Sequence, residues 1–239
     1  MNNYHDAILF DVDSTLVTIE GLDWIAKKKG IGKEVAKLTT LSMEGAVAMD
    51  EIFVKKIDLL APSKHELALL GEKYCDSLVE DAAETIAVLQ ILNKEIWLVT
   101  GNIMPALLPL ATNLSIPFSR IHANEVSFYP TGDYKSINQN CSLTKGKGKS
   151  ICAQTIGRGK EVAFIGDSVT DMAVIPYVKT FIGFGGVAIR EKVKKNANNY
   201  VATKSLTPIL SYVLTKHERT QLAVLSPSLD KKLYDLGFN

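Results

Sequence analysis

The run from Ile8 to Val17, ILFDVDSTLV, constrains this chain more than any other stretch. Apolar Ala7 to Phe10 reads as a buried strand, and Asp11 and Asp13 follow where such a strand leaves its sheet. In open α/β sheets, ligands bind at that edge, outside the carboxyl ends of the strands. Ser14 and Thr15 add two small hydroxyls and a polar loop whose backbone N–H groups can face an anion. An ordinary Asx or Ser turn accounts for the same residues. The rest of the chain has to decide.

After the first strand, Leu22 to Gly30 has helical spacing, Glu34 to Leu38 begins a second helix, and Met49 to Leu60 forms a third that Pro62 ends. Ser63 to Glu80 is again helical, and Ala82 to Leu92 leads into a second strand, Glu95 to Thr100. Roughly 65 mostly helical residues between two strands are too many for one crossover helix, so the spacing predicts an inserted helical cap. Further on, Met104 to Asn113 reads as a helix and Asn124 to Tyr134 as a hairpin around Pro130-Thr131-Gly132-Asp133. Lys149 to Ile156 is a short helix, and Glu161 to Ile165 and Thr180 to Phe184 are the third and fourth core strands. This is an α/β pattern with a parallel core sheet. The expected division is a discontinuous core over 1–18 and 82–214, a cap over 19–81 and an extension over 215–239. Within that extension, Leu222 to Leu225 and Leu229 to Leu236 read as short helices separated by Pro227.

The balance of 27 Lys+Arg against 26 Asp+Glu leaves a net charge of +1, so no global field favours nucleic acid or an anionic membrane. No run approaches the roughly 18 apolar residues of a membrane span. The N-terminus lacks the basic and apolar segments of a signal peptide. Three cysteines, Cys75, Cys141 and Cys152, show neither CxxC spacing nor a disulfide framework. A cytoplasmic, reducing compartment is expected.

Each of the first three core strands ends in chemistry. The first gives Asp11 and Asp13, the second Thr100-Gly101, and the third Gly166-Asp167 with Asp171 close behind. Parallel strands roughly 5 Å apart bring these ends together. Carboxylates crowded there repel one another unless a cation offsets them, and hard oxygen donors suit Mg²⁺. Thr100 can donate to a phosphate oxygen, and a lysine of TKGKGKS (Lys145, Lys147 or Lys149) can neutralise charge. Gly148-Lys149-Ser150 imitates the end of a P-loop, but Leu143 stands where that motif needs its first glycine.

The order DVDST, hydrophobics-TG, Lys, GDxxTD resembles the haloacid dehalogenase superfamily of phosphohydrolases. Longer segments (IEGLDWIAKKKG, SMEGAV, IHANEVSFYPTGDY, KGKGKS and FIGFGGVAIREKVKKNA) are similar to its phosphoserine phosphatase family. The resemblance runs from about Tyr4 to about Leu214. It implies a Rossmann-like core with a C1-type helical-bundle cap inserted after the first motif. It also implies a small phosphorylated metabolite as substrate, with neither nucleic acid nor membrane as partner.

By that resemblance Asp11 is the nucleophile and Asp13 the acid that protonates the leaving oxygen and then activates water. Mg²⁺ is held by the Asp11 side chain, the Asp13 backbone carbonyl and Asp167. Thr100, Gly101 and Lys147 cradle the phosphoryl oxygens, with Lys149 the alternative to Lys147. Asp171 buttresses the loop, and Ser14 and Thr170 are placed to contact phosphate or substrate. Glu20 binds a substrate ammonium, and Met43 and Gly45 wall the pocket. The chain departs from the family at the carboxylate end. Lys56 stands where a cap arginine is expected, and Thr100-Gly101-Asn102 replaces SGG, putting a side chain at the pocket edge. Lysine keeps the charge but loses the two-pronged grip. Hydrolysis of L-phosphoserine and phosphatase or phosphotransferase action on another small phosphorylated metabolite therefore both stand. A noncatalytic protein on this scaffold is disfavoured, because every catalytic residue type is in place.

Overall fold

The structure, a computed structural model, describes residues 4–43 and 49–238. In chain order the elements are β1 (Ala7–Phe10), α1 (Gly21–Lys28), α2 (Gly32–Met43), α3 (Met49–Leu60), α4 (Lys64–Cys75), α5 (Ala82–Ile91), β2 (Glu95–Ile103) and α6 (Met104–Asn113). They continue with β3 (Ile121–Asn124), β4 (Val126–Phe128), β5 (Tyr134–Ile137), α7 (Gly148–Ile156), β6 (Val162–Gly166), α8 (Val169–Met172), β7 (Thr180–Phe184), α9 (Glu191–Asn196) and β8 (Asn199–Val201). Three helices close the chain: α10 (Leu210–Val213), α11 (Lys216–Leu225) and α12 (Pro227–Asp235).

Six strands form one parallel sheet in the order β3-β2-β1-β6-β7-β8. The strands are continuously apolar because both faces are covered. Ile8 and Phe10 join Ile96, Leu98, Ala163 and Ile165 on one face, in the core that holds the buried side chains of α5, α6 and α10. Ala7 and Leu9 point the other way with Val162 and Phe164, packing on Cys152, Ala153 and Ile156 of α7. The register pairs Phe10 with Leu98 and with Ile165, so β1 and β6 run out together at one edge while β2 continues beside them. β4 and β5 form a separate antiparallel hairpin.

Several boundaries differ from the sequence expectation. In the extension, α11 begins at Lys216 rather than Leu222, and Pro227 opens α12 rather than standing between the two helices. The hairpin starts later, because Asn124 ends the edge strand β3 and its amide bonds Gly101 O at 2.8 Å. β2 runs on to Ile103 rather than stopping at Thr100. The helix expected over Ser63 to Glu80 ends at Cys75. Its capping box, in which Ser63 and Glu66 exchange hydrogen bonds, starts it as the sequence suggests. Tertiary pairing stops it. The Thr18 N–H bonds Ser77 O at 2.8 Å and the Val79 N–H bonds Leu16 O at 2.9 Å, so the chain segments leaving and re-entering the core run side by side.

The helices between those segments lie close on the core. Gly71 of α4 lets Pro109 of α6 approach so near that a Cβ would meet Pro109 Cγ at 2.6 Å. The C-terminal extension also packs on the core. Leu222, Leu229 and Leu233 are buried in the same apolar cluster as Ile86 and Leu89. Lys94, buried beneath the ring of Tyr4, meets Glu218 at 2.5 Å. Lys232 pairs with Glu80 and with Asp81 at 2.6 Å, and the Ser228 hydroxyl donates to Glu84 at 2.7 Å. No helix among the described residues is long and apolar enough to cross a membrane.

If the extension belongs to the cooperative unit, Leu233→Ala should cost about 2–5 kcal/mol in urea unfolding, as for a fully buried leucine. A loss under about 1 kcal/mol would place α12 outside that unit.

Candidate active site

The alignment of β1, β2 and β6 brings functional side chains of all three segments together. Asp11 continues β1 and its N–H still bonds Ile165 O at 2.9 Å. Thr100, inside β2 but just past the residue that pairs with Phe10, and Asp167, the residue after β6, are both buried. Asp13, Glu20, Lys56, Gly101, Asn102, Asp167 and Thr170 line one cavity of about 260 Å³ with Asp11, roofed by Phe53. Ser14 lies behind it, its backbone at φ 55° and its hydroxyl donating to Glu20 at 2.7 Å.

Oxygens of Asp11, Asp167 and Asp171 all lie within 4.8 Å of one another, and all three residues are buried. Lys149 offsets this concentration. Its Nζ is 2.7 Å from Asp11 and 2.6 Å from Asp171. Burial alone would lower the lysine, but the two carboxylates overrule it and hold the ammonium above its ordinary value. Asp171 is fixed in turn by the Ser168 N–H and hydroxyl, at 2.8 and 2.6 Å, in the capping box of α8.

Lys149 rather than Lys147 therefore occupies the expected lysine position. The Lys147 side chain is exposed and has no hydrogen-bond or ion-pair partner among the described residues. The cause is the face of α7. Lys149, Cys152, Ala153 and Ile156 are buried at helical spacing, and Lys149 heads that stripe. Gly148 permits this placement, since a Cβ there would meet Ser142 O at 2.2 Å.

Arg190, which precedes α9, supplies a second cation. Its Nε donates to Asp167 at 2.8 Å and its Nη2 lies 3.3 Å from Glu20. Burial and the neighbouring Asp171 push Asp167 up to about 6, against the pull of Arg190. Burial also raises Asp11 well above the carboxylate range, opposed by Lys149. Five carboxylates (Asp11, Asp13, Glu20, Asp167 and Asp171) thus face Lys149 and Arg190, with Lys56 already committed to Asp23 at 3.0 Å. An all-oxygen donor set with excess negative charge and raised carboxyl groups fits a hard divalent cation.

Asp13 stands apart from the Asp11–Asp167–Asp171 cluster. The Tyr74 hydroxyl donates to its Oδ1 at 2.7 Å and the Asn102 amide to its Oδ2 at 2.7 Å. Burial and the charge of Glu20 nonetheless raise it to about 6. The Thr100 hydroxyl accepts the Asn102 N–H at 3.2 Å and keeps its own proton to donate. Thr170 bonds Ser168 at 2.8 Å on the far side of the cavity. Met43 ends α2, and its side chain and Gly45 fall outside the described residues. Arg190 and Tyr74 are the site residues that the sequence reading missed. Arg190 follows β7 at the same sheet edge, so its strand-end position was a usable signal. Tyr74 carried none, because only the seating of α4 brings it to Asp13.

The haloacid dehalogenase-like hydrolase family model matches residues 5–176. This chain belongs to the haloacid dehalogenase-like hydrolases. It is 34% identical over 199 residues to the phosphoserine phosphatase of Bos taurus, covering 82% of this chain and 88% of that protein. Among solved structures, a phosphoserine phosphohydrolase-like protein from Francisella tularensis superposes with a TM-score of 0.72 at 27% identity, covering 83% and 95% of the two chains. A substrate-bound phosphoserine phosphatase complex gives 0.70 at 25% identity over 88% and 99%.

Lys149→Met would leave Asp11 and Asp171 buried without their cation and should cost about 3–5 kcal/mol in urea unfolding, as for a broken buried pair. Lys147→Met should leave the unfolding midpoint unchanged.

Proposed function

We propose that this chain is a Mg²⁺-dependent phosphomonoester hydrolase whose substrate is L-phosphoserine, released as L-serine and phosphate. The observation that carries the reading is the buried Asp11, held by Lys149 beside Asp167 in a cavity that also opens onto Asp13. The similarity to phosphoserine phosphatases over most of the chain supports the choice of substrate.

An oxygen of Asp11 attacks phosphorus while the bond to the ester oxygen breaks, and that oxygen keeps the bonding pair and takes the proton of Asp13. The aspartyl-phosphate is then attacked by water. Asp13, now a carboxylate, accepts the water's proton as the bond to Asp11 breaks. Lys149 favours the ionised form of Asp11, holds it in place and meets the phosphoryl charge, and Thr100 donates its hydroxyl to a phosphoryl oxygen. Asp11, the Asp13 carbonyl and Asp167 would hold the Mg²⁺, which supplies charge neutralisation for phosphoryl transfer when bound. Glu20, steadied by Ser14 and Arg190, faces the substrate ammonium. Residues 19–81 serve as the cap, 1–18 with 82–214 as the catalytic core, and 215–239 as a brace on the core. The free cysteines suit a reducing, cytoplasmic compartment.

Lys56 lines the cavity with its ammonium spent on Asp23, which favours a second reading: a small phosphomonoester without a carboxylate. Phosphate release separates the two. L-phosphoserine should turn over with Mg²⁺, stop with EDTA and recover when Mg²⁺ is restored. Asp11→Asn should fall to background while keeping its fold. Turnover of an aryl phosphate but not of L-phosphoserine would select the second reading. Undiminished release by Asp11→Asn would overturn both.

A further inference from the structure

Both oxygens of Asp13 are occupied by protein donors, and those donors come from two parts of the chain. Tyr74, fully buried near the end of α4, donates its hydroxyl to Oδ1 at 2.7 Å, and the Gly21 N–H at the start of α1 reaches the same oxygen at 3.2 Å. Asn102 of β2 donates to Oδ2 at 2.7 Å. Its amide cannot be turned round without loss, because Asn102 Oδ1 accepts the Ile103 N–H at 2.8 Å. Asn102 Nδ2 also bonds the Tyr74 hydroxyl. A Cβ on residue 21 would come within 2.0 Å of that hydroxyl, so the glycine leaves the room the phenol needs.

A buried phenol and a buried amide each need partners, and a single carboxyl group satisfies them together. Each carboxyl oxygen has two lone-pair directions, so the Asn102 N–H takes one on Oδ2 and leaves the other free to carry a proton. The carboxyl is therefore held in one orientation before substrate arrives. Tyr74 rides on α4, which packs on α6 through Gly71 and Pro109. The aim of Asp13 thus depends on how α4 is seated.

We propose that Tyr74 and Asn102 are the positioning residues of the acid/base carboxyl, fixing the line along which Asp13 hands its proton to the leaving oxygen. The proposal rests on the acid role given to Asp13 above. Tyr74 and Asn102 act through Asp13, without contact with the reacting phosphorus. Their contribution belongs to the step in which the P–O bond breaks and the departing oxygen, keeping the bonding pair, is protonated.

The leaving group supplies the test. A serine alkoxide needs that proton, whereas p-nitrophenolate departs without it. kcat/KM ends at this departure and is blind to the later hydrolysis of the aspartyl-phosphate. It would be measured on L-phosphoserine and p-nitrophenyl phosphate for the parent chain, Tyr74→Phe, Asn102→Ala and Asp13→Asn, with thermal unfolding as a fold control. Tyr74→Phe keeps the ring and Asn102→Ala removes only the amide, so each variant takes away a different donor to Asp13. Each should lower kcat/KM for L-phosphoserine about 10- to 100-fold, within the range of general acid catalysis. Each should lower it less than about threefold for p-nitrophenyl phosphate, and Asp13→Asn should show the same contrast more strongly. Equal losses on the two substrates in both positioning variants, with Asp13→Asn still discriminating, would overturn the positioning role alone. Equal losses in Asp13→Asn as well would overturn the acid role and this proposal with it.

Discussion

Lys149, bridging Asp11 and Asp171 inside the protein, is the interaction on which the site depends. Parallel strands deliver acidic residues to one sheet edge, and burial there disfavours the charged form of each. At Asp11 burial raises the carboxyl well above the ordinary range, and Lys149 pulls against it. A lysine held at 2.7 and 2.6 Å from two carboxylates opposes that tendency at Asp11, where burial still dominates. It does so from α7, a helix whose apolar stripe anchors it to the sheet. The catalytic charge balance is thus built into the core packing. Fold stability and chemistry share the same residues at this edge.

Around that centre the acids divide by environment. Asp11, Asp167 and Asp171 share Lys149, Arg190 and a cluster fit for a divalent cation. Asp13, two residues from Asp11, is turned toward the α1–α4 helices and meets neutral donors instead. Two carboxyl groups of one short loop therefore acquire different surroundings. The segments joining the cap helices to the core run side by side, and the C-terminal extension presses on the return segment through Lys232. The helices between those segments, which add Leu22, Phe53 and Lys56 to the cavity, are in this way braced by α6 and by the paired segments, with α12 pressing on the return segment.

Much of this was legible in the sequence. The DVDST run, the TG after the second strand and GDSVTD placed Asp11, Asp13, Thr100 and Asp167 because strand ends converge by topology. Two helices also read well from local sequence: α3 ends before Pro62 as expected, and α6 spans Met104–Asn113 despite Pro105 and Pro109. Features decided by tertiary pairing did not. Local sequence continues α4 past Cys75, and only the strand-like contact of Val17 with Leu78 stops it. The edge strand β8 is three residues long and carries little periodicity of its own. Lys149 is an instructive case, because motif alignment favoured Lys147. The buried stripe of Lys149, Cys152, Ala153 and Ile156 shows that helical phase, applied to the same residues, points to Lys149.

In the proposed reaction Asp11 carries the phosphoryl group between substrate and water. The most direct measurement is an acid quench during turnover of L-phosphoserine, followed by mass mapping of peptides. The account predicts a phosphoryl increment on the peptide containing Ile8 to Val17, lost when hydroxylamine cleaves acyl phosphates. Continued phosphate release with no increment on that peptide, or an increment on another, would contradict it.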